Sequence, residues 1–262
     1  SPAHPTLNPA MDATTQFLLL ACAAFAAGVL NAIAGGGTFL TFPALVYTGV
    51  PPIAANATSA LAVCPGYLGS TLGFRQELAA LPRRQLVREM LICAAGGLAG
   101  ALLLLVTPAK VFAGVVPWLL LFATALFAFG PRIARWAGGS EEEGSLARWR
   151  YPALALVALY GGYFNGGLGI LLMALYLLVG ETRLHTVNGL KNLNSFVLSV
   201  LSVAAFALGG LIAWAPALLM AVFATLGGFA GARLARRLPT AWVRAIVIAV
   251  GLVMSAVFFA RA

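Results

Sequence analysis

The sequence predicts an all-α polytopic membrane protein made of two inverted repeats, each a glycine-broken helix followed by three transmembrane helices. Three observations predict it. Of the 262 residues, 61% are hydrophobic and only 9% charged, and mean hydropathy is +0.96. A soluble domain of this size could not cover its surface with polar groups. Apolar runs of roughly 20 residues, the length that spans a bilayer as a helix, recur along nearly the whole chain. The two halves also register on each other at a constant offset of 131. Gly49 falls on Gly180, Gly96-Gly97-Leu98-Ala99-Gly100-Ala101 falls on Gly227-Gly228-Phe229-Ala230-Gly231-Ala232, and Pro108 falls on Pro239. A shared GGxAGA and a shared proline at one offset make an internal repeat.

The elements follow in order. Residues 1–13 read as a disordered N-terminus, since Ser1–Ala10 are polar and proline-rich, and Met11 reads as the native start. A cleavable signal peptide is not evident, because a charged start is missing and the first apolar run continues into the repeat. The first repeat spans 14–130. Its opening run, Phe17–Thr48, is too long for one straight crossing and is interrupted at Gly35–Gly37. Val50-Pro51-Pro52 ends that run, and helices follow over about Ala54–Phe74, Leu86–Val106 and Lys110–Phe129. Pro131 opens a polar linker, 131–150, that holds Glu141-Glu142-Glu143 among four arginines. The second repeat, 151–262, begins with the run Tyr151–Val179, broken at Gly166-Gly167, and continues with helices over about Thr186–Leu208, Ile212–Leu234 and Thr240–Phe259.

Charge decides between parallel and inverted repeats. The loop 75–88 carries Arg75, Arg83, Arg84 and Arg88, while its counterpart near 209–215 has no charge. The turn near Pro108 has only Lys110, while its counterpart carries Arg233, Arg236, Arg237 and Arg244. Equivalent loops of opposite basicity belong on opposite sides of the membrane, with the basic ones inside. Loops 75–88, 131–150 and 233–244 are then cytoplasmic, and each broken run returns to the side it entered as a re-entrant hairpin or two short tilted crossings. The formal net charge of +9 sits in these few loops. It reads as topology and anionic-lipid contact, not as nucleic-acid binding.

Broken helix is tolerated in a bilayer only where protein or a water-filled cavity surrounds it. Paired breaks in two halves are the sequence mark of a transport site at mid-membrane. The first break is Asn31-Ala32-Ile33-Ala34-Gly35-Gly36-Gly37-Thr38, and its partial echo is Asn165-Gly166-Gly167-Leu168-Gly169, each three residues after a glycine, Gly28 or Gly162. Close helix packing is the plainer use of small residues, but it needs a glycine every fourth position, not three in a row beside an asparagine. The polar residues near the breaks are few. Asn31, Thr38 and Thr41 line the first, and Asn56, Thr58 and Ser59 open the next helix. Asn165 marks the second, and Asn188, Lys191, Asn192, Asn194, Ser195 and Ser199 open the helix after it. Asn188, Asn192, Ser195 and Ser199 share one helix face by their three- and four-residue spacing. The serines read equally well as interhelical glue, and Lys191 could simply snorkel to the headgroups. Otherwise Lys191 and the backbone N–H groups of the breaks supply an anion site.

Absences narrow the class. The acidic residues Asp12, Glu77, Glu89, Glu141–Glu143 and Glu181 all read as end or loop positions, so no buried carboxylate is expected and a cation pathway or carboxylate proton relay is poorly supported. Cys22, Cys64 and Cys93 are far apart within apolar runs, and His4 and His185 are isolated, so no disulfide frame, metal site or cofactor is expected. With no nucleophile–base pair and no metal constellation, the chain does not read as an enzyme. The candidate substrate-binding residues are Asn31, Gly35, Gly36, Gly37, Thr38, Thr58, Ser59, Asn165, Gly166, Gly167, Asn188, Lys191 and Asn192.

At these residues the sequence resembles the TauE/SafE family of bacterial sulfite and organosulfur-anion transporters. The resemblance rests on Gly28-Val29-Leu30-Asn31-Ala32-Ile33-Ala34-Gly35-Gly36-Gly37, Pro43-Ala44-Leu45 and Ala55-Asn56-Ala57-Thr58-Ser59 in the first half. In the second it rests on Gly162-Tyr163-Phe164-Asn165-Gly166-Gly167-Leu168-Gly169 and Asn188-Gly189-Leu190-Lys191-Asn192. It covers essentially Thr14–Ala260, and the second break departs from the triple-glycine form of the first. The resemblance implies an inner-membrane carrier of small sulfur-containing anions such as sulfite, sulfoacetate or related sulfonates, whose partners are that anion and the surrounding lipids. A membrane potential negative inside drives anions outward by ~2.3 kcal/mol per charge per 100 mV, which favours export. The alternatives are a transporter or channel for another anion or a metal cation, or a non-catalytic membrane accessory subunit.

Overall fold

Glycine and proline punctuate an otherwise helix-forming apolar chain, and the computed structural model places its breaks at them. It describes residues 11–33, 35–137, 147–234 and 240–261, all of whose regular structure is helical. The helices are α1 (Ala13–Ile33), α2 (Thr38–Tyr47), α3 (Pro52–Gly73), α4 (Arg75–Ala79), α5 (Arg83–Val106) and α6 (Ala109–Ala137) in the first half. In the second they are α7 (Arg150–Tyr163), α8 (Leu168–Leu178), α9 (Leu184–Leu208), α10 (Trp214–Leu234) and α11 (Thr240–Arg261). Among the described residues α1 over Ala13–Asn31, α5 and α9 are long and apolar enough to cross a membrane on length and composition alone.

Two expectations change. The loop expected over 75–88 is mostly helix, α4 followed by the start of α5 at Arg83. The backbone also stays helical past Pro131 to Ala137, because a proline removes one N–H but does not by itself end a helix. The linker residues 138–146, the N-terminal segment 1–10 and the loop 235–239 lie outside the described residues, as do the side chains of the arginines expected to mark loop 233–244.

The short helices α2 and α8, of 10 and 11 residues, rise only about 15–17 Å, half a bilayer core. Both end in the same turn. Gly49 (φ 95°) and Gly180 (φ 90°) take the left-handed conformation that glycine alone adopts without strain. The next N–H in each bonds back to a helix carbonyl, Val50 to Leu45 and Glu181 to Tyr176. Outward-facing apolar side chains also repeat between halves. Val87, Leu91 and Leu98 on α5 and Leu218, Val222 and Phe229 on α10 are all exposed, an apolar stripe that suits lipid and not water.

The halves are interlocked by exchange of partners. The most extensive helix pairs are α1 with α10 and α5 with α7, each joining one element from either half. Glycine makes both crossings. A Cβ added at Gly28 would lie 2.0 Å from the Ala224 carbonyl oxygen of α10, and one at Gly227 would lie 2.0 Å from the Phe25 oxygen of α1. A Cβ at Gly162 of α7 would lie 2.2 Å from the Gly97 oxygen of α5, and one at Gly100 would lie 2.2 Å from the Leu159 oxygen of α7. The GGxAGA repeated in α5 and α10 is thus the contact surface for the first helix of the opposite half. The equivalent helices α3 and α9, and α6 and α11, pair with each other.

Candidate functional site

The two breaks meet in the interior. The chain leaves α1 through Gly35, at φ 80°, whose N–H bonds back to Leu30 O at 3.2 Å. It enters α8 through Gly167, at φ 77°. A Cβ on Gly169 would sit 2.8 Å from Gly35 O, so the breaks touch backbone to backbone with no room for a side chain between them. Thr38 Oγ1 donates to Asn165 O at 3.3 Å across the same junction.

Each break is also tied down internally. Asn31 Oδ1 accepts the Gly37 N–H at 2.8 Å, and a Cβ on Gly37 would reach within 2.5 Å of Ala27 O, so α2 folds back along α1. In the second half Tyr160 donates its hydroxyl to Gly166 O at 2.7 Å. Asn56 of α3 spans the second break with both ends of its amide, donating to Tyr163 O at 3.0 Å and accepting from Asn165 N at 3.4 Å. Asn165 Nδ2 donates in turn to Ser199 Oγ of α9 at 3.4 Å. The second broken run is a hairpin. Laid end to end, α7 and α8 would place their outer ends roughly 37 Å apart, yet the Arg150 guanidinium at the start of α7 lies 5.3 Å from the ring of Tyr176 in the last turn of α8.

Lys191 projects from α9 to this junction. Its side chain is only 5% exposed, and a Cβ on Gly35 would stand 3.5 Å from its Nζ. No hydrogen bond or ion pair reaches it among the described residues. A buried ammonium is costly unless something compensates its charge. Four residues further along α9, Ser195 Oγ is fully buried and has no partner either. Both lie on the face of α9 that carries Ser199 to the second break. The arrangement is a pair of free donors beside two glycine-rich turns, a chemistry that suits an oxyanion.

The structure gathers Asn31, Gly35, Gly36, Gly37, Thr38, Asn165, Gly166, Gly167 and Lys191 at or beside the junction. Asn192 is buried on the next position of α9, and Asn188 is half-buried near its start. Thr58 and Ser59 are pulled elsewhere. Thr58 Oγ1 accepts the Ala213 N–H at 3.0 Å, capping the entry to α10, and Ser59 Oγ bonds to Thr41 Oγ1 of α2 at 2.5 Å. Asn56 and Ser199 stand at the junction in their place; the sequence marks both as polar residues near the breaks but gives no position to rank them.

The expectation of no buried carboxylate is corrected by Glu89. It lies two turns into α5, because the helix begins at Arg83, and it is 0% exposed. Its Oε1 takes Arg150 Nε at 2.8 Å and Gln85 Nε2 at 3.1 Å. Its Oε2 takes the Tyr176 hydroxyl at 2.8 Å and Asn194 Nδ2 at 3.2 Å. A carboxylate survives burial when its lone pairs are filled in this way.

Comparison with known proteins agrees with the architecture. Residues 20–258 match the family described as "Sulfite exporter TauE/SafE". A "Probable membrane transporter protein" of Haemophilus influenzae is 29% identical over 241 residues, covering 91% of this chain and 92% of the relative. The "Probable membrane transporter protein YfcA" of Escherichia coli K12 is 30% identical over 245 residues, covering 89% and 86%. No solved structure matches the chain.

Proposed function

The chain belongs to the TauE/SafE family of membrane transporters, and on that premise we propose that it carries a small sulfur-containing anion such as sulfite, sulfoacetate or a related sulfonate, by alternating access at the junction of the two breaks. The observation that carries the reading is Lys191, a buried lysine without a counter-ion among the described residues, beside the contact of Gly35 with Gly169. An oxyanion would neutralise it, take the free Ser195 hydroxyl and accept from break N–H groups. Sulfur-containing substrates come from the family description and not from the geometry, which asks only for a compact oxyanion.

The protein on this reading is a transporter and not an enzyme, set in the bacterial inner membrane with loops 75–88, 131–150 and 233–244 cytoplasmic and the two repeats inverted. The exchanged helix pairs and the hairpin return of α7–α8 support the inverted arrangement. Export is the favoured direction, since the membrane potential drives a monoanion outward by ~2.3 kcal/mol per 100 mV.

Thermal unfolding of the purified protein against sulfite, sulfoacetate, thiosulfate, sulfate, chloride and nickel tests the site. A ligand of the folded state at 100 times its Kd adds about 2.7 kcal/mol of stability, a Tm rise of roughly 5–10 °C for a chain of this size. The expected result is a rise with sulfite or a sulfonate that disappears in Lys191→Ala. A rise with the metal cation alone, or an undiminished anion shift in Lys191→Ala, overturns the assignment.

A further inference from the structure

Glu89 has no part in the anion site just described, yet it gathers more helices than any residue in it. Its carboxylate joins α5 (through Glu89 and Gln85), α7 (Arg150), α8 (Tyr176) and α9 (Asn194) at one point. Asn194 Nδ2 bonds to the Tyr176 hydroxyl as well, within the same knot. Two of these elements, α7 and α8, are the arms of the second broken hairpin, and Arg150 and Tyr176 stand at its open end. The third, α9, carries Lys191 one turn before Asn194 and Ser195 directly after it. The knot therefore fastens the helix that bears the site to the mouth of the hairpin that forms it.

The burial gradient gives the knot a direction. Glu89 is fully buried, while the Arg150 side chain retains 16% of its surface. Arg150 begins α7 and so lies nearest the aqueous end, with Lys191 and Ser195 enclosed beyond. Asn194 Oδ1 and Ser195 Oγ are buried without partners, although buried polar atoms are normally satisfied. Asn194 Oδ1, which the anion site does not use, is left over in this arrangement of helices, as expected of a group that finds a partner in another.

We propose that Glu89 and Arg150 form an ionic clasp that closes the site on the side where α5 and α7 begin, and that the clasp opens and re-forms as the transporter cycles. Glu89 is then a positioning residue: it acts through Asn194 and Arg150 and touches no substrate. The clasp suits this use because an arginine–carboxylate contact is strong when dry and weak once wetted. The idea rests on the transport reading above, since a clasp needs a pathway to close.

Cys93 is a native reporter. It lies one turn beyond Glu89 on α5, is 0% exposed and carries a free thiol. Cys64 on α3 is also buried and free, lies on a helix that contributes no hydrogen bond to the clasp, and reports general loosening. Purified protein without any added anion is treated with N-ethylmaleimide, and each cysteine is followed by peptide mass spectrometry. Glu89→Gln and Arg150→Gln are expected to raise the Cys93 labelling rate by about tenfold, the population change that follows loss of one hydrogen bond to a charged group. Cys64 stays at its wild-type rate in both, and Arg150→Lys, which keeps the charge, stays near wild type at Cys93. If Glu89→Gln does not fold, Arg150→Gln reads the same clasp from its exposed side. Unchanged Cys93 labelling overturns the proposal, and so does a parallel rise at Cys93 and Cys64, which marks a structural tie and nothing more. Because no anion is present, failure here is distinct from failure of the Lys191 site, which the thermal shifts read.

Discussion

Gly162→Ala is the sharpest test of how the two halves hold together. Gly162 has ordinary helical backbone, so alanine brings no conformational strain there and by propensity alone would stabilise α7 by up to about 1 kcal/mol. The added methyl carbon would instead stand 2.2 Å from Gly97 O and 2.8 Å from Gly97 C, where 3.4 Å or more is ordinary contact. Both atoms are backbone, so no rotamer change relieves the overlap, and α5 and α7 must separate by more than an ångström. Overpacking of this kind costs about 1–3 kcal/mol, or roughly 2–12 °C in Tm for a chain of this length. Gly114→Ala on α6 is the control, because nothing lies within 4 Å of its added Cβ; it should leave Tm unchanged or slightly raised. Both are read by thermal unfolding in one detergent. A Gly162→Ala protein as stable as wild type would refute the close crossing of α5 on α7, and with it one of the two exchanged pairs.

Two further substitutions separate scaffold from site. Asn31→Ala removes the acceptor of the Gly37 N–H, so it should cost about 1–2 kcal/mol in thermal unfolding and also weaken the anion-induced Tm shift by misplacing the first break; an unaltered Tm would mean the bond does not hold that turn. Glu89→Ala strips one acceptor group from Arg150, Gln85, Tyr176 and Asn194 together and should destabilise by about 3–5 kcal/mol, well beyond Glu89→Gln. Equal stability of the two variants in chemical unfolding would show that the charge, and not the filled cavity, carries the clasp.

Much of this fold is legible in the sequence because glycine and proline act locally. The breaks at Gly35–Gly37 and Gly166-Gly167 turn on Gly35 and Gly167 in the left-handed region, whereas Gly96-Gly97 and Gly161-Gly162 stay within helices, and Val50-Pro51-Pro52 separates α2 from α3. Lys191 is legible as a cation amid asparagines in an apolar run, but its burial is not, since a lysine so near a helix start could as well snorkel to the headgroups. Partner choice was not legible. A GGxAGA at two positions says that two helices pack closely, but either copy fits α1 or α7 equally well on sequence. The burial of Glu89 is hidden in the sequence because it follows Arg83, Arg84 and Arg88, which together resemble a solvated loop. Its burial depends on Arg150, Tyr176 and Asn194, which are 61, 87 and 105 residues away. Thr58 and Ser59 read as site residues because they open the helix after the first break, whereas Thr58 faces α10 through Ala213 and Ser59 faces α2 through Thr41.

The crossed pairing sets an order of events at the ribosome. When α5 first enters the bilayer, the helix that will cover Gly97 and Gly100 has not been synthesised, and α1 waits longer still, until α10 arrives to meet Gly28. Neither half can finish its own packing, so the amino-terminal half stands in lipid with its glycine faces bare until the carboxyl-terminal half is delivered. A chain cut between α6 and α7 would therefore give two fragments that are each incomplete yet complementary, and assembly of this transporter is in effect a dimerisation carried out within one polypeptide.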